Sequence, residues 1–379
     1  MRRRVLLAAP LIASPLLLAA NGPASAQTAG VVLEEFLVPS GPGIQLYLRN
    51  KRPEGAATAR ADRVVLCVHD GTFPASTSFD LPAGGVSWMD YMAGRGFDVW
   101  SVDLRNYGRS TREAAMAQPP AGQPLTTARD ALADIAAAAA FIREKRGVPK
   151  LVHLGWGWGA GLMARFAVDN AALVDRLVLY APEWPADSAT PAAPQGGGTQ
   201  AGGSQASGSQ GSGSQGSGSQ ANASQGGQGA AASLPSYRSL TRAEVRARWI
   251  EGVPDARRGA LFPAGWYEHW ADTTFATDPE GARQVPSVLR VPNGALAERQ
   301  SGAQPFDAAR VTVPVLITLA EWDREAPPAQ ALALFQAMTA APAKRMALLG
   351  EGTHGIMLER NRGALFQAVQ VFLEEGLSG

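Results

Sequence analysis

The chain has 379 residues, of which 46% are apolar and 18% charged, enough to bury a large core in one or two domains. Lysine and arginine (34) balance aspartate and glutamate (33). A net charge of +1 therefore provides neither a basic footprint for nucleic acid nor an acidic tail. The N-terminus reads MRRRVLLAAPLIASPLLLAANGPASAQ, three arginines, an apolar run broken by Pro10 and Pro15, and then Ala24-Ser25-Ala26. That order predicts a secretory signal peptide over 1–26, a mature start at Gln27 and an exported protein, periplasmic or secreted. The arginines also permit twin-arginine export. No later segment is long and apolar enough to span a bilayer, so stable membrane insertion after cleavage is not expected. With one cysteine, Cys67, the chain can form no internal disulfide.

VVLEEFLVP (31–39) and IQLYLRN (44–50), separated by Gly-Pro-Gly, predict an antiparallel hairpin. RVVLCVH (63–69) and DVWSVD (98–103) are short apolar runs of buried-strand type, with the helical WMDYMAGRG between them. TTARDALADIAAAAAFIREKRG (126–147) is a helix with an N-cap threonine and a terminal glycine, followed by strand LVHLG and helix AGLMARFAVDN. RLVLYAP (176–182) is the next strand. Alternation of this kind predicts a parallel sheet covered by helices on both faces. Residues 191–233 are almost wholly Gly, Ser, Gln, Ala and Pro, so 184–235 reads as a disordered tether inserted into the fold. An aromatic, irregularly helical block over 236–304 is expected to cap the sheet's C-terminal edge. VPVLITLAEWD (313–323) resumes the sheet; a helix near 327–340, strand KRMALLG (344–350) and a helix over 360–377 close it. The main domain thus comprises 27–183 and 305–379.

One short stretch, LGWGWGAG (154–161), has the glycine spacing of a strand-to-helix turn. A P-loop would need a following Lys-Ser/Thr pair, which is absent. A dinucleotide fingerprint belongs in the first βα unit with an acidic residue ending the next strand; here the turn follows the fifth strand and the next ends Tyr180-Ala181-Pro182. Later in the chain come Asp323, just past one strand, and His354, in a loop past the last. Of the other histidines, His69 follows a strand in His69-Asp70-Gly71, His153 lies in a strand as a satisfied core residue, and His269 is in the cap. Their spacing matches no metal-ligand set, and no metal or cofactor is expected. Cys67 reads as a small core hydrophobe and Asp103 as structural.

The order elbow, acid, histidine along alternating strands and helices resembles the α/β-hydrolase fold, as do the His-Gly loop and DLRNYGRS at 103–110. The resemblance spans 31–183 and 305–377 and implies a mostly parallel eight-stranded sheet with an inserted helical cap. It implies an esterase- or lipase-like site for a small-molecule ester or acyl substrate, His354 as general base, Asp323 (rather than Glu321) orienting it, and oxyanion donors in the backbone of Gly71, Thr72 and Trp158. The nucleophile position, however, is Gly157. Glycine adopts the positive φ of that turn without strain while deleting the attacking atom, and Leu151–Met163 contains no Ser, Thr, Cys, Asp or Glu to replace it. Hydrolysis is therefore expected to be slow or absent. The alternatives are a non-catalytic ligand-binding pseudoenzyme and nucleophile-independent chemistry using His354 and Asp323 as a base.

Overall fold

A computed structural model describes residues 30–55, 60–82, 85–185 and 234–375. The expected signal peptide and nearly all of the Gly/Ser/Gln-rich tether lie outside them. Among the described residues there are ten strands: β1 (Val31–Pro39), β2 (Gln45–Pro53), β3 (Val64–Val68), β4 (Asp98–Asp103), β5 (Leu151–Trp156), β6 (Val174–Tyr180), β7 (Tyr237–Thr241), β8 (Val288–Pro292), β9 (Val315–Ala320) and β10 (Lys344–Leu349).

Eight of them form one sheet in the order β1-β2-β4-β3-β5-β6-β9-β10. β1 and β2 form the antiparallel hairpin, β2 joins β4 antiparallel, and every other neighbouring pair is parallel. Burial explains the sequence pattern. β3, β5 and β9 lie between two helical layers and every residue in them is buried, which is why they read as continuous apolar runs. The edge strand β1 mixes exposed, half-buried and buried positions along its length, and β10, at the other edge, has only exposed and half-buried ones.

Helix ends follow ordinary capping chemistry. Thr127 accepts from the Asp130 amide and Asp130 returns the bond, while Gly147 closes the same helix, Ala128–Arg146, at φ 65°. The later helices run Pro328–Ala337 and Arg362–Glu374, each somewhat shorter than its apolar pattern suggested.

The block after Ser236 is less uniformly helical than expected. Helices Arg242–Trp249, Trp266–Phe275 and Gly294–Ser301 are joined by a second, two-stranded sheet in which β7 and β8 pair antiparallel, Tyr237 opposite Pro292. Val288-Leu289-Arg290-Val291-Pro292 has strand character, but its partner lies some fifty residues earlier, so the pairing is invisible to local periodicity. Arg290 on β8 is clamped by the buried Asp278, which accepts its backbone N–H at 2.9 Å and its guanidinium Nε at 2.9 Å. No helix among the described residues is long and apolar enough to cross a membrane.

Candidate active site

Because β3, β5, β6, β9 and β10 are parallel, the loops that leave their C-terminal ends gather on one edge of the sheet. β5 turns sharply there. Gly157 has φ 56°, ψ −120° and is the N-cap of helix Trp158–Asp169. A side chain on Gly155 would enter the Gly159 carbonyl and Ala160 backbone; one on Gly159 would enter the His69 carbonyl. These two glycines let strand, helix and the His69 loop cross at backbone contact.

β9 leads to Asp323 and β10 to His354. The two side chains meet, His354 Nδ1 lying 2.9 Å from Asp323 Oδ2. Asp323 is buried, and its other oxygen accepts the amides of Glu325 and Ala326, each at 2.8 Å. Glu321, the sequence rival, is exposed. The histidine loop is held by its own carbonyl, which accepts Trp156 Nε1–H at 2.9 Å and the Tyr180 hydroxyl. His354 Nε2 is buried and has no hydrogen-bond partner among the described residues. It faces the elbow, since a Cβ placed on Gly157 would lie 2.9 Å from it.

The same imagined Cβ would lie 2.8 Å from Asp70 Oδ1. Sequence reasoning passed over this residue. His69-Asp70-Gly71 reads as a loop of backbone donors, yet the buried Asp70 side chain turns into the elbow. Its Oδ2 accepts the Thr72 amide at 3.0 Å, whereas Oδ1 is buried without a partner among the described residues. The available signal was an acidic residue in the donor loop of a chain that lacks its elbow side chain. The expected oxyanion donors must be adjusted accordingly. The Thr72 N–H is already engaged by Asp70, because a two-residue step lets a carboxylate fold back on its own backbone. The Trp158 N–H, at the first turn of its helix, has no intrahelical acceptor. Gly71 sits against Ala295 of the covering segment, with no room for a side chain.

The protonation states follow from this packing. Burial alone would push His354 down; the charges of Asp323, Glu325 and Asp70, with the Asp323 hydrogen bond, outweigh it and lift the imidazole to about 10. Burial alone would raise Asp70, but the charges of His354, Arg299 and Arg248 hold its carboxyl below the usual carboxylate range. His69 is the reverse case. Burial lowers it, and the neutral ring donates from Nδ1 to the Asp70 carbonyl at 2.6 Å and accepts the Leu104 amide at Nε2, 3.1 Å away. It shapes the loop. His153 is buried in β5 and driven down to about 3 by desolvation, but neither ring nitrogen has a partner among the described residues, so it is a buried core histidine without the satisfied bonds expected of it. Burial also raises the thiol pKa of Cys67 in β3. Asp103 accepts the amides of Ser76 and Arg109, a structural role.

Histidine spacing along the sequence suggested no metal set, but folding brings Asp70, Glu183 and His354 together, one ligand atom of each within 4.8 Å of the others. Glu183 is already paired. Arg299 donates from Nε to Oε2 at 2.7 Å and from Nη2 to the other oxygen, placing a fixed cation where a metal would need a vacant ligand.

Two cavities flank the seat above Gly157. One, about 170 Å³, runs from Asp70 and His354 to Phe73, Trp156, Val245 and Trp249. The other, about 300 Å³, opens beside Gly157 and Trp158 toward Trp184, Arg299 and Pro305. Phe73 stacks with Trp156 and Trp249 and meets Trp270 edge-on, so core and covering segment share an aromatic wall.

The family described as alpha/beta hydrolase fold matches residues 64–360, and the chain belongs to it. No curated protein matches the chain. Among solved structures, it is similar to a serine hydrolase from the polyaromatic-hydrocarbon-degrading bacterium Cycloclasticus zankles (TM-score 0.55, 11% identity, 92% of this chain and 100% of that one). It is also similar to a thioesterase domain from the curacin biosynthetic pathway (0.50, 16%, 89% and 99%). A third similar structure is an enol-lactonase from Burkholderia xenovorans LB400 (0.50, 15%, 89% and 100%). At such identities the likeness is one of fold.

Proposed function

We propose that the chain hydrolyses small carboxylic esters or related acyl compounds, slowly and without a covalent enzyme intermediate. The observation that carries this is the His354–Asp323 pair: Nδ1 is fixed by the carboxylate, and the unpartnered Nε2 faces the seat above an elbow that has no side chain. With the imidazole lifted to about 10, His354 is an imidazolium at neutral pH and serves as proton donor to the leaving oxygen. Its expected role as general base would require a neutral ring, which exists only at high pH. Water is the nucleophile. The Trp158 amide, at the first turn of its helix, supports the carbonyl oxygen as charge develops there. Loss of one member of a catalytic triad still leaves acceleration on the order of a thousandfold from the remaining machinery, which sets the scale of activity to expect.

The acyl class is further supported by the thioesterase and enol-lactonase among the similar structures and by the apolar, aromatic wall of the cavity. The test is turnover of p-nitrophenyl acetate and octanoate by the purified chain and by His354→Ala. Ester cleavage lost in the variant is expected, and cleavage that survives it would overturn the reading. A ligand retained without turnover would favour the pseudoenzyme. That reading draws on one observation, the Asp70 carboxylate occupying the Thr72 amide. Export is proposed as well, on the strength of the N-terminal pattern alone; mass measurement of a mature N-terminus at Gln27 would check it.

A further inference from the structure

We propose that Asp70 is the general base of this site, taking the proton from the water that attacks the acyl carbon, in the space that an elbow side chain would fill. The inference rests on the hydrolase reading above and names the group that this reading lacks.

Three observations place Asp70 there. Among the described residues its Oδ1 is buried and unpartnered, as is His354 Nε2. Both converge on one point, the Cβ position that Gly157 leaves open, at 2.8 and 2.9 Å. The Thr72 amide holds Oδ2 at 3.0 Å, so the carboxylate is anchored with its free oxygen turned inward. Buried polar atoms rarely stay unpaired, and two around one vacant seat define a place for a polar reactant. A Cβ at 157 would crowd both atoms, at 2.8 and 2.9 Å, so the bare glycine is what leaves them open to a reactant.

The titratable groups facing Asp70 are His354 from the loop after β10, Arg299 and Arg248 from the covering helices, Arg238 from β7, Tyr107 from the loop after β4, Tyr180 from β6, Glu183 from the loop after it, and the adjoining His69. The cations keep Asp70 ionised while the surrounding carboxylates keep His354 protonated, so the base and the acid of one reaction sit in one site with their pKa values pushed apart.

The step balances. A water O–H bond breaks and its proton passes to Asp70 Oδ1 as the oxygen forms a bond to the acyl carbon. The bond from that carbon to the leaving oxygen then breaks, and this oxygen takes the Nε2 proton of His354. Asp70 then gives up its proton and Nε2 regains one through exchange with solvent, and ester plus water has become acid plus alcohol. Direct attack by the carboxylate would instead leave an anhydride on Asp70, with His354 protonated and unable to activate water for its removal.

Asp70→Asn keeps the shape and an acceptor for the Thr72 amide but removes the base. We expect kcat for p-nitrophenyl acetate to fall about 100-fold or more, with KM little changed and the acidic limb of the pH profile abolished. Wild-type kcat and an intact acidic limb in the variant would overturn the proposal. A single turnover of the wild-type chain in ¹⁸O-water needs no variant. Label in the product acid and none in Asp70 is expected; label in the Asp70 peptide would overturn the proposal by showing a covalent nucleophile. Activity lost to EDTA and restored by Zn²⁺ would likewise overturn it, in favour of metal held by Asp70, Glu183 and His354. If the wild-type chain turns over no ester, the hydrolase reading falls and takes this proposal with it. If turnover survives Asp70→Asn but not His354→Ala, Asp70 alone is removed.

Discussion

The two halves of the site differ in how far they are completed. On the β9 and β10 side, a histidine is fixed by a carboxylate, that carboxylate by two amides, and the loop by Trp156 and Tyr180. On the β5 side the turn keeps its geometry, with a positive φ and two glycines at backbone contact, but carries no reactive atom. The backbone of an elbow and the chemistry of an elbow are therefore separable. The first depends on Gly155 and Gly159, the second on whatever group reaches the seat, and here that group comes from another loop.

The largest effect that would sharpen this contrast is restoration of a nucleophile. A serine Cβ at 157 would press on Asp70 Oδ1 at 2.8 Å, so Gly157→Ser alone should label weakly with a fluorophosphonate. Asp70→Gly combined with Gly157→Ser should label stoichiometrically once the pH is raised toward 10, where the His354 ring becomes neutral. Equal labelling of the two would mean that Asp70 does not hold the seat. Next, His354→Ala should lower ester turnover by about a hundredfold, toward the uncatalysed rate, and Asp323→Asn by somewhat less, since it leaves the ring in place but unoriented. Rates unchanged in both would break the claim that the β9 and β10 half is the working half.

Gly159→Ala tests the other half. A methyl driven into the His69 carbonyl should cost about 1–3 kcal/mol of stability, read as a lower Tm, while the distant mutation Thr241→Ala, which removes the capping box of helix Arg242–Trp249, should cost only about 1 kcal/mol. A Tm loss for Gly159→Ala no greater than for Thr241→Ala would mean that the turn is not tightly packed. Linkage provides a further check. His354 is raised from 6.5 to about 10 on folding, so its contribution is complete below pH 6.5 and is lost as pH rises through 10. Stability lost between those values should be smaller in His354→Gln than in the wild-type chain, measured as Tm at both ends of the window.

Much of this architecture was legible in the amino-acid order. Buried parallel strands announce themselves as unbroken apolar runs, and Asp323 and His354 stand where late strands end, so strand counting reached them. What escaped was decided by through-space geometry. The β7–β8 pair joins segments separated by the helices between them. The direction of the Asp70 side chain depends on an absence at residue 157, and the grouping of Asp70, Glu183 and His354 on three loops converging from β3, β6 and β10. Residues with no local periodicity and no spacing rule leave no trace in a one-dimensional reading.

Trp249, at the end of a covering helix, donates its indole N–H at 2.7 Å to the buried Glu359, and the same carboxylate accepts the Thr353 amide at 3.0 Å, next to His354. Gly355, on the other side of His354, touches the Trp249 ring so closely that no side chain would fit. Roof and histidine loop are thus one mechanical part, hinged on a carboxyl that burial lifts to about 7. The roof cannot be altered at Trp249 without disturbing the carboxylate that also fixes the Thr353 amide, so a substitution far from the elbow is felt one residue from His354.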